Sequence, residues 1–519
     1  MKIGVFRYIF FIIVIILILI SIYFLYKDSQ KKSQEIKAVR MELNIEKEIN
    51  IGTTSFDNIN PLLSNNRDIQ YIDKLIFQSL IDISYEFKIE NLLAKEFSKI
   101  NPTTYIVKLK DDVYWHDGTS FTAEDVIFTI NNLKKDGVNS IYKENVSKIE
   151  KVEQIDEYTI KIFLTEEVPF FEYKMCFPIL ASHSYEDGTL NSKSIIPVGT
   201  GKYKIDSIEE KSISLISNEN EKTKLRKINI ILKDTVKDLY NALTKEEIDY
   251  MVTDNIEYAD YIGTMGYNVK QAHNREYEYL ALNNENKILS DKKIREVINC
   301  AIDKKAINYN VYNNKHMISN FPLDYGSYLY KQEEKTTYDI NKAKKILREN
   351  GWKYVKNYWV KNNNKLEFKL IVNENKEKRV LLAEEIKRQL QEIGIIINIV
   401  KVNDNIYNNY IKNKKYDIIL AGNIVSNCPD LRSYFGENNL SNFKEEELSI
   451  LLKDISNIND EKILKEKYSR IIEIYDEEMP FVSLDSNSLF VLSRTNLKGD
   501  LSFNWYNLFY NIDNWYKIK

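Results

Sequence analysis

Tyr105 to Lys135 reads YIVKLKDDVYWHDGTSFTAEDVIFTINNLKK, and the patterning of this run decides the architecture. Apolar and polar residues alternate through Tyr105 to Leu109, as in a half-buried strand. Asp117-Gly118 then supplies a residue tolerant of positive φ where the chain must reverse. A helix is expected at once. Thr122 is placed to cap it, Asp125 stands three residues on in capping-box position, and Val126, Ile127, Ile130 and Leu133 form one apolar stripe that Gly137 ends.

The second clear unit lies far downstream. A strand is expected at Leu366 to Val372, a helix from Glu377 to Ile393, and a second strand at Ile395 to Val402, with Gly394 as the stop between helix and strand. Val380, Ala383, Ile386, Leu390 and Ile393 recur every three or four residues, so one helix face packs on a sheet. Such a βαβ unit crosses over right-handed to a parallel strand. A helix around Ile406 to Asn413, an apolar strand at Tyr416 to Leu420, and helices near 444–455 and 460–476 continue the α/β pattern. No short-period repeat or long low-complexity segment interrupts it.

At 519 residues the chain has room for roughly three domain-sized units. Lys and Arg total 73 against 76 Asp and Glu, which excludes a general polyanion binder, so no nucleic-acid partner is expected. Any binding must come from a local site. The 36 tyrosines belong to a composition rich in Lys, Asn and Ile and do not by themselves indicate an aromatic cleft. The three cysteines, Cys176, Cys300 and Cys428, are widely spaced and odd in number, so they form no disulfide framework.

From Tyr8 to Tyr26 run 19 consecutive uncharged, mostly aliphatic residues, close to the roughly 20 that span a bilayer core as helix. No small-residue cleavage site follows, so an uncleaved membrane anchor is expected at 8–26, after a short flank at 1–7. Residues 27–43 read as a polar stalk. Lys2 and Arg7 precede the span while Lys27, Lys31, Lys32, Lys37 and Arg40 follow it, a bias that alone would place the body in the cytoplasm.

The opening run also closely resembles the signature of the family 5 extracellular solute-binding proteins, the oligopeptide-binding receptors of ABC importers. Trp115-His116-Asp117-Gly118 and Thr122-Ala123-Glu124-Asp125-Val126 carry the likeness. Further matches follow in the family's order: FDNINP at 56–61, NLLAKEF at 91–97, VGTGKY at 198–203, IREVINCAID at 294–303 and YDINKAKKILRENGW at 338–352. The resemblance implies a two-lobed, periplasmic-binding-protein-like α/β fold of the second type, with an extra subdomain in the first lobe, behind the single N-terminal transmembrane helix. On this reading lobe I comprises 44–73, 191–275 and 479–519, the inserted subdomain 74–190, and lobe II 276–478. Because the chain leaves lobe I and returns, two crossing strands are expected near Tyr277 to Leu282 and Met479 to Leu484. It further implies closure of both lobes over solute, delivery to permease subunits of an ABC transporter, and a body on the extracytoplasmic face despite the charge bias. The relatives' lipid tether needs a Cys after the apolar run, which this chain lacks.

In oligopeptide-binding relatives an Asp after an apolar strand of lobe II pairs with the peptide's α-ammonium. Alignment on Ser433-Tyr434-Phe435 puts Ile424 at a position usually Trp, and Asn427 at that Asp. An amide offers only a neutral acceptor where a carboxylate would make a charge-assisted bond. Asp430 stands three residues on as a substitute. Asn423 and Val425 match positions whose main chain pairs with an extended ligand, and Asn65, Asn66 and Arg67 fall where lobe I of relatives contacts peptide. Arg67 has the geometry to meet a ligand carboxylate bidentately.

Enzyme motifs are missing: there is no G-x-S-x-G, no H-E-x-x-H and no metal-ligand spacing among His116, His183, His273 and His316. Neither catalytic residues nor a cofactor nor a metal is expected. Val198 to Lys202 fails as a phosphate loop, since Ile196 holds the first glycine position and Tyr203 replaces the hydroxyl that binds magnesium. A strand-leading turn is expected there, and His116 is expected to belong to the structural turn before Asp117-Gly118. The sequence thus reads as an anchored receptor for an oligopeptide or similar solute. An oligosaccharide, a metal chelate or a signalling peptide as ligand, a sensory or scaffold role, and an anchored hydrolase remain as alternatives.

Overall fold

The alternation at Tyr105 becomes a strand, Thr104–Leu109, paired antiparallel with Ala94–Asn101 on one side and Thr159–Leu164 on the other. Ile149–Asp156 completes this four-stranded sheet. The chain reverses at Gly118, whose φ is +91°, and Asp117 Oδ1 accepts the Thr119 N–H at 3.0 Å. The helix Ala123–Lys134 begins as its capping signal requires: Asp125 Oδ2 accepts the Thr122 N–H at 2.9 Å. Its Oδ1 takes both the N–H and the hydroxyl of Ser182 at 2.8 Å, so one carboxylate starts the helix and ties down a distant loop. Val126, Ile130 and Leu133 are fully buried with Tyr105, Val107 and Ile162 in one core, whereas Ile127 is half-buried at its edge.

A computed structural model describes residues 23, 26, 27, 30–32, 45–185, 190, 196–219, 221–254, 266–324, 326–330, 337–458 and 460–519. The anchor expected at 8–26 and most of the stalk at 27–43 lie outside these residues. Among the described residues no helix is long and apolar enough to cross a membrane.

The stretch Val198 to Tyr203 is a turn leading into the strand Tyr203–Glu209, and the WHDG turn clasps it. His116 N–H donates to Gly199 O at 2.9 Å, and its ring Nε2 donates to Gly201 O at 2.9 Å. Nδ1 accepts the Gly199 N–H at 3.3 Å, which fixes the tautomer with the proton on Nε2. Burial holds this ring's proton affinity below the ordinary histidine value, against the pull of the Gly201 carbonyl. Gly201 N–H reaches Ile76 O at 2.8 Å, and a Cβ on Gly199 would lie 1.9 Å from that same oxygen. The glycine is required by this close approach, and the two sequence motifs are halves of one joint.

An eleven-stranded sheet runs through the rest of the molecule. At one end the expected βαβ unit is present: strands Glu367–Asn373 and Ile396–Val402 are parallel, joined through the helix Glu377–Glu392. Gly394 takes φ +90° beyond that helix. Ile418–Ile424 lies next in the sheet, and then come the two long strands Tyr267–Leu282 and Phe481–Arg494. Beyond them follow Tyr250–Thr253, Glu48–Thr53, Lys227–Leu232, Ser212–Ser217 and Tyr203–Glu209. The long strands pair antiparallel and bind one half of the molecule to the other. Both are longer than the sequence pattern implied. The polar run Lys270 to Glu276 breaks the alternation, and register shifts between His273 and Tyr277 and between Glu278 and Tyr279 let a kinked ladder continue past it.

Each half keeps its own core. Leu382, Ile386, Leu390 and Trp359 pack beneath the βαβ strands, while Ile49, Tyr203, Ile228 and Trp515 pack beneath the opposite end of the sheet. A further cluster crosses between the halves, joining Phe87, Phe170 and Tyr173 to Tyr277, Phe321, Tyr434 and Trp505.

Candidate ligand-binding site

Where the crossing strands kink, three distant segments meet. Arg275 is held at three points: its C=O accepts the Val425 N–H at 2.8 Å, its Nε donates to Val425 O at 2.9 Å, and its guanidinium lies 4.5 Å from the centroid of the Trp505 ring. Asn274, almost fully buried, turns its Oδ1 to the Arg275 N–H at 2.9 Å and to Arg67 Nη2 at 2.6 Å. Arg67 Nε donates to the Tyr71 hydroxyl at 2.8 Å, which in turn donates to Trp505 O at 2.7 Å. Helix Arg67–Ile76, the hinge strand and the C-terminal segment are thereby locked together through neutral acceptors.

Acidic groups around this point are few. Asp324 accepts the Trp505 indole N–H; burial pushes its carboxyl up to about 7, against the opposing pull of Trp505 and Arg275. Glu278, farther along the same strand, is claimed by Arg379 through bonds of 2.8 to 2.9 Å. Burial nevertheless lifts it to about 7. Beside the Trp505 ring opens a cavity of about 380 Å³, lined among others by Tyr85, Phe87, Gln271, His273, Asn504 and Trp505. That volume falls within the range of small-molecule sites. Burial pushes His273 down to about 4, so its ring is neutral at ordinary pH.

The residues singled out from sequence fall into different places. Asn66 caps the helix at Arg67: its Oδ1 accepts from Asp68 N at 2.8 Å and Ile69 N at 3.2 Å, and its amide N–H donates to Ser55. Asn65 is exposed, with its N–H on Asp57 Oδ2 at 2.7 Å. Asn423 pairs with Tyr277 across the ladder, and its side chain opposes the upward push that burial gives the hydroxyls of Tyr279 and Tyr434. The N–H and C=O of Val425 are both already engaged by Arg275. Ile424, at the position where relatives place Trp, is 59% exposed.

Asn427 is half-buried, and its Oδ1 accepts the Ser426 hydroxyl at 3.4 Å. Asp430 is committed elsewhere: it accepts from Arg432 Nε at 2.8 and 3.0 Å and caps the Arg432 N–H at 3.0 Å. Of the set, Arg67 and Val425 are brought together through Asn274 and Arg275. Asn65 and Asp430 stay outside that junction.

The halves also touch beyond it. Tyr328 N–H donates to Glu86 O at 2.9 Å, Tyr328 packs against the cluster that holds Tyr173, and Lys88 pairs with Glu461. Among the described residues no group of three or more His, Cys, Asp or Glu side chains is placed to hold a metal.

Sequence reasoning missed Asn274, Arg275, Asp324 and Trp505. They come from three stretches with no shared periodicity, and only the crossing of the long strands assembles them. The one available signal was the break in alternation at Lys270 to Glu276, which marks polar residues where a buried strand should be apolar.

Comparison with known proteins agrees with this architecture. Residues 88–442 match the family model described as bacterial extracellular solute-binding proteins, family 5 middle. The oligopeptide-binding protein AppA of Bacillus subtilis is 24% identical over 493 residues, 89% of each chain. The solved nickel ABC transporter protein of Bacillus halodurans superposes with a TM-score of 0.77 at 20% identity, over 89% of this chain and 98% of that one. The periplasmic murein tripeptide-binding protein MppA, in its unliganded open form, gives 0.79 at 16% identity over 91% and 98%. At those identities the superpositions speak for the two-lobed mixed α/β fold alone. The matched span covers well over half of the sequence, and the chain belongs to the family 5 bacterial extracellular solute-binding proteins.

Proposed function

We propose that this chain is an extracytoplasmic receptor, held at the membrane by the apolar segment 8–26, that captures an oligopeptide in the cleft between its halves and passes it to an ABC permease. The observation that carries this reading is the pair of crossing strands, Tyr267–Leu282 and Phe481–Arg494. Beside their kink, polar side chains from both halves converge and a cavity of about 380 Å³ opens. Two long strands with register shifts make a hinge. The relative AppA is named for oligopeptide binding and aligns over 89% of both chains, which supports a peptide as the solute class.

On this reading Arg67, Asn423, Val425 and Asn427 border the solute. Asn65, Asn66 and Asp430 shape the segments that carry them. A second solute class, one without a free ammonium, is favoured by a specific observation: Asn427 is neutral and Asp430 is taken by Arg432. An N-blocked peptide or a metal chelate satisfies that condition.

The test is native mass spectrometry of the full chain in detergent. One solute per chain, recovered chemically intact after denaturation, is the expected result. Recovery of cleavage products would favour a hydrolase, and no bound solute together with no binding from a peptide library would favour a sensory or scaffold role.

A further inference from the structure

Folding brings Arg67 and Arg275 to one buried amide at the hinge, where their charges act on each other, and anchors both on neutral atoms. Arg67 is fixed by the Tyr71 hydroxyl and Asn274 Oδ1, and Arg275 by the Val425 carbonyl and the face of Trp505. The same Oδ1 that holds Arg67 accepts the backbone N–H of Arg275, so a single buried amide links the two residues. Among the described residues neither arginine forms an ion pair. Among the described residues, three N–H groups of Arg67 and four of Arg275 carry no protein acceptor.

Two like charges held together, half out of water, repel. Burial and then the charge of Arg67 both lower the proton affinity of Arg275. Asp68 acts on Arg67 but accepts the Thr53 hydroxyl at 2.9 Å; Asp324 acts on Arg275 yet bonds the Trp505 indole rather than either guanidinium, and burial holds it at about 7. It therefore offers only part of a counter-charge at neutral pH. Such an arrangement is costly for folding alone and is suited to a planar anion, because a guanidinium presents paired donors that match both oxygens of a carboxylate. Rigid neutral anchors keep those donors in place before the anion arrives.

We infer that the hinge is a carboxylate site: Arg67 and Arg275 grip a carboxylate group of the solute between them, with Asn274 as the positioning residue. This rests on the receptor reading above and gives the solute a polarity. An acidic group of the solute lies at the hinge.

The test titrates the full chain in detergent with an N-acetylated hexapeptide library prepared as the C-terminal acid and as the C-terminal amide. Wild type should bind the acids at least about ten-fold more tightly, the loss expected for one charge-assisted bidentate contact. Arg67→Gln and Arg275→Gln should each reduce that preference to less than about three-fold, with melting curves reported alongside. Should one variant fail to fold, the other and the wild-type acid-to-amide ratio still decide. Equal binding of acids and amides by wild type overturns the carboxylate site while leaving the receptor reading intact. If neither library binds, the peptide reading fails, and citrate becomes the deciding probe. A rise in melting temperature with citrate that Arg67→Gln abolishes upholds the site, and no rise overturns it.

Discussion

Asn427 is the residue at which this chain departs most consequentially from the pattern of its oligopeptide-binding relatives. Replacing it by Asp puts a carboxylate at that position, two residues beyond Val425, which Arg275 holds. Asn427→Asp is expected to strengthen binding of peptides with free N-termini relative to N-acetylated ones by about 1.5 to 3 kcal/mol, the range for a hydrogen bond to a charged group. Isothermal calorimetry reads the ratio directly, and an unchanged ratio means this position does not face an ammonium. Asp324 makes a separate prediction about stability. An acid whose folded value lies above its ordinary one binds its proton more tightly when folded, so its contribution is complete below about pH 4 and is lost as pH rises through about 7. Asp324→Asn keeps an acceptor for the Trp505 indole but cannot ionise. Its melting temperature should therefore fall less than that of wild type between pH 4.5 and 7.5. Parallel falls in the two proteins would remove Asp324 from the account. Arg67 and Asn427 were legible from sequence because each sits in a recognisable segment. Arg275 was not, since its importance comes from Val425 and Trp505, 150 and 230 positions away.

Among the elements, the turn joint between WHDG and VGTGKY was read correctly in both parts but not as one object. Capping and turn chemistry act over a few residues and are visible in a linear pattern; the contact of Gly199 with Ile76 is not. Gly199→Ala is expected to destabilise the fold by about 1 to 3 kcal/mol or more, since the new Cβ meets a backbone oxygen at 1.9 Å that has no free rotation. Urea denaturation measures it, and a midpoint equal to wild type contradicts the close approach. The βαβ unit was read nearly to the residue because helix Glu377–Glu392 keeps a clean apolar face. The crossing strands were read short. In Tyr267–Leu282 the outer portion is largely polar and continues past register shifts, while in Phe481–Arg494 the buried serines and Asp485 interrupt the apolar pattern, which no alternation rule anticipates.

The whole molecule is a pair of halves, each with its own core, tied by two strands and touching across Tyr173, Tyr328 and Trp505. Small cross-half contacts of this kind, a lone surface ion pair at Lys88 and Glu461 among them, contribute little stability individually. On the proposed reading they are the contacts that solute binding and release would shift between two populations. The two-lobed plan was legible because six motifs occur in family order, whereas the proposed solute site was not, because the junction of Arg67, Asn274, Arg275 and Val425 is assembled from both halves. Spin labels at Lys151 and Glu447, exposed positions in opposite halves, with the three native cysteines replaced by serine, report this motion by double electron–electron resonance. Addition of the solute recovered from the native chain should convert a broad or two-peaked distance distribution into one narrow population. An unchanged distribution, with binding verified on the same sample, would contradict a receptor that works by closing its halves around a guest.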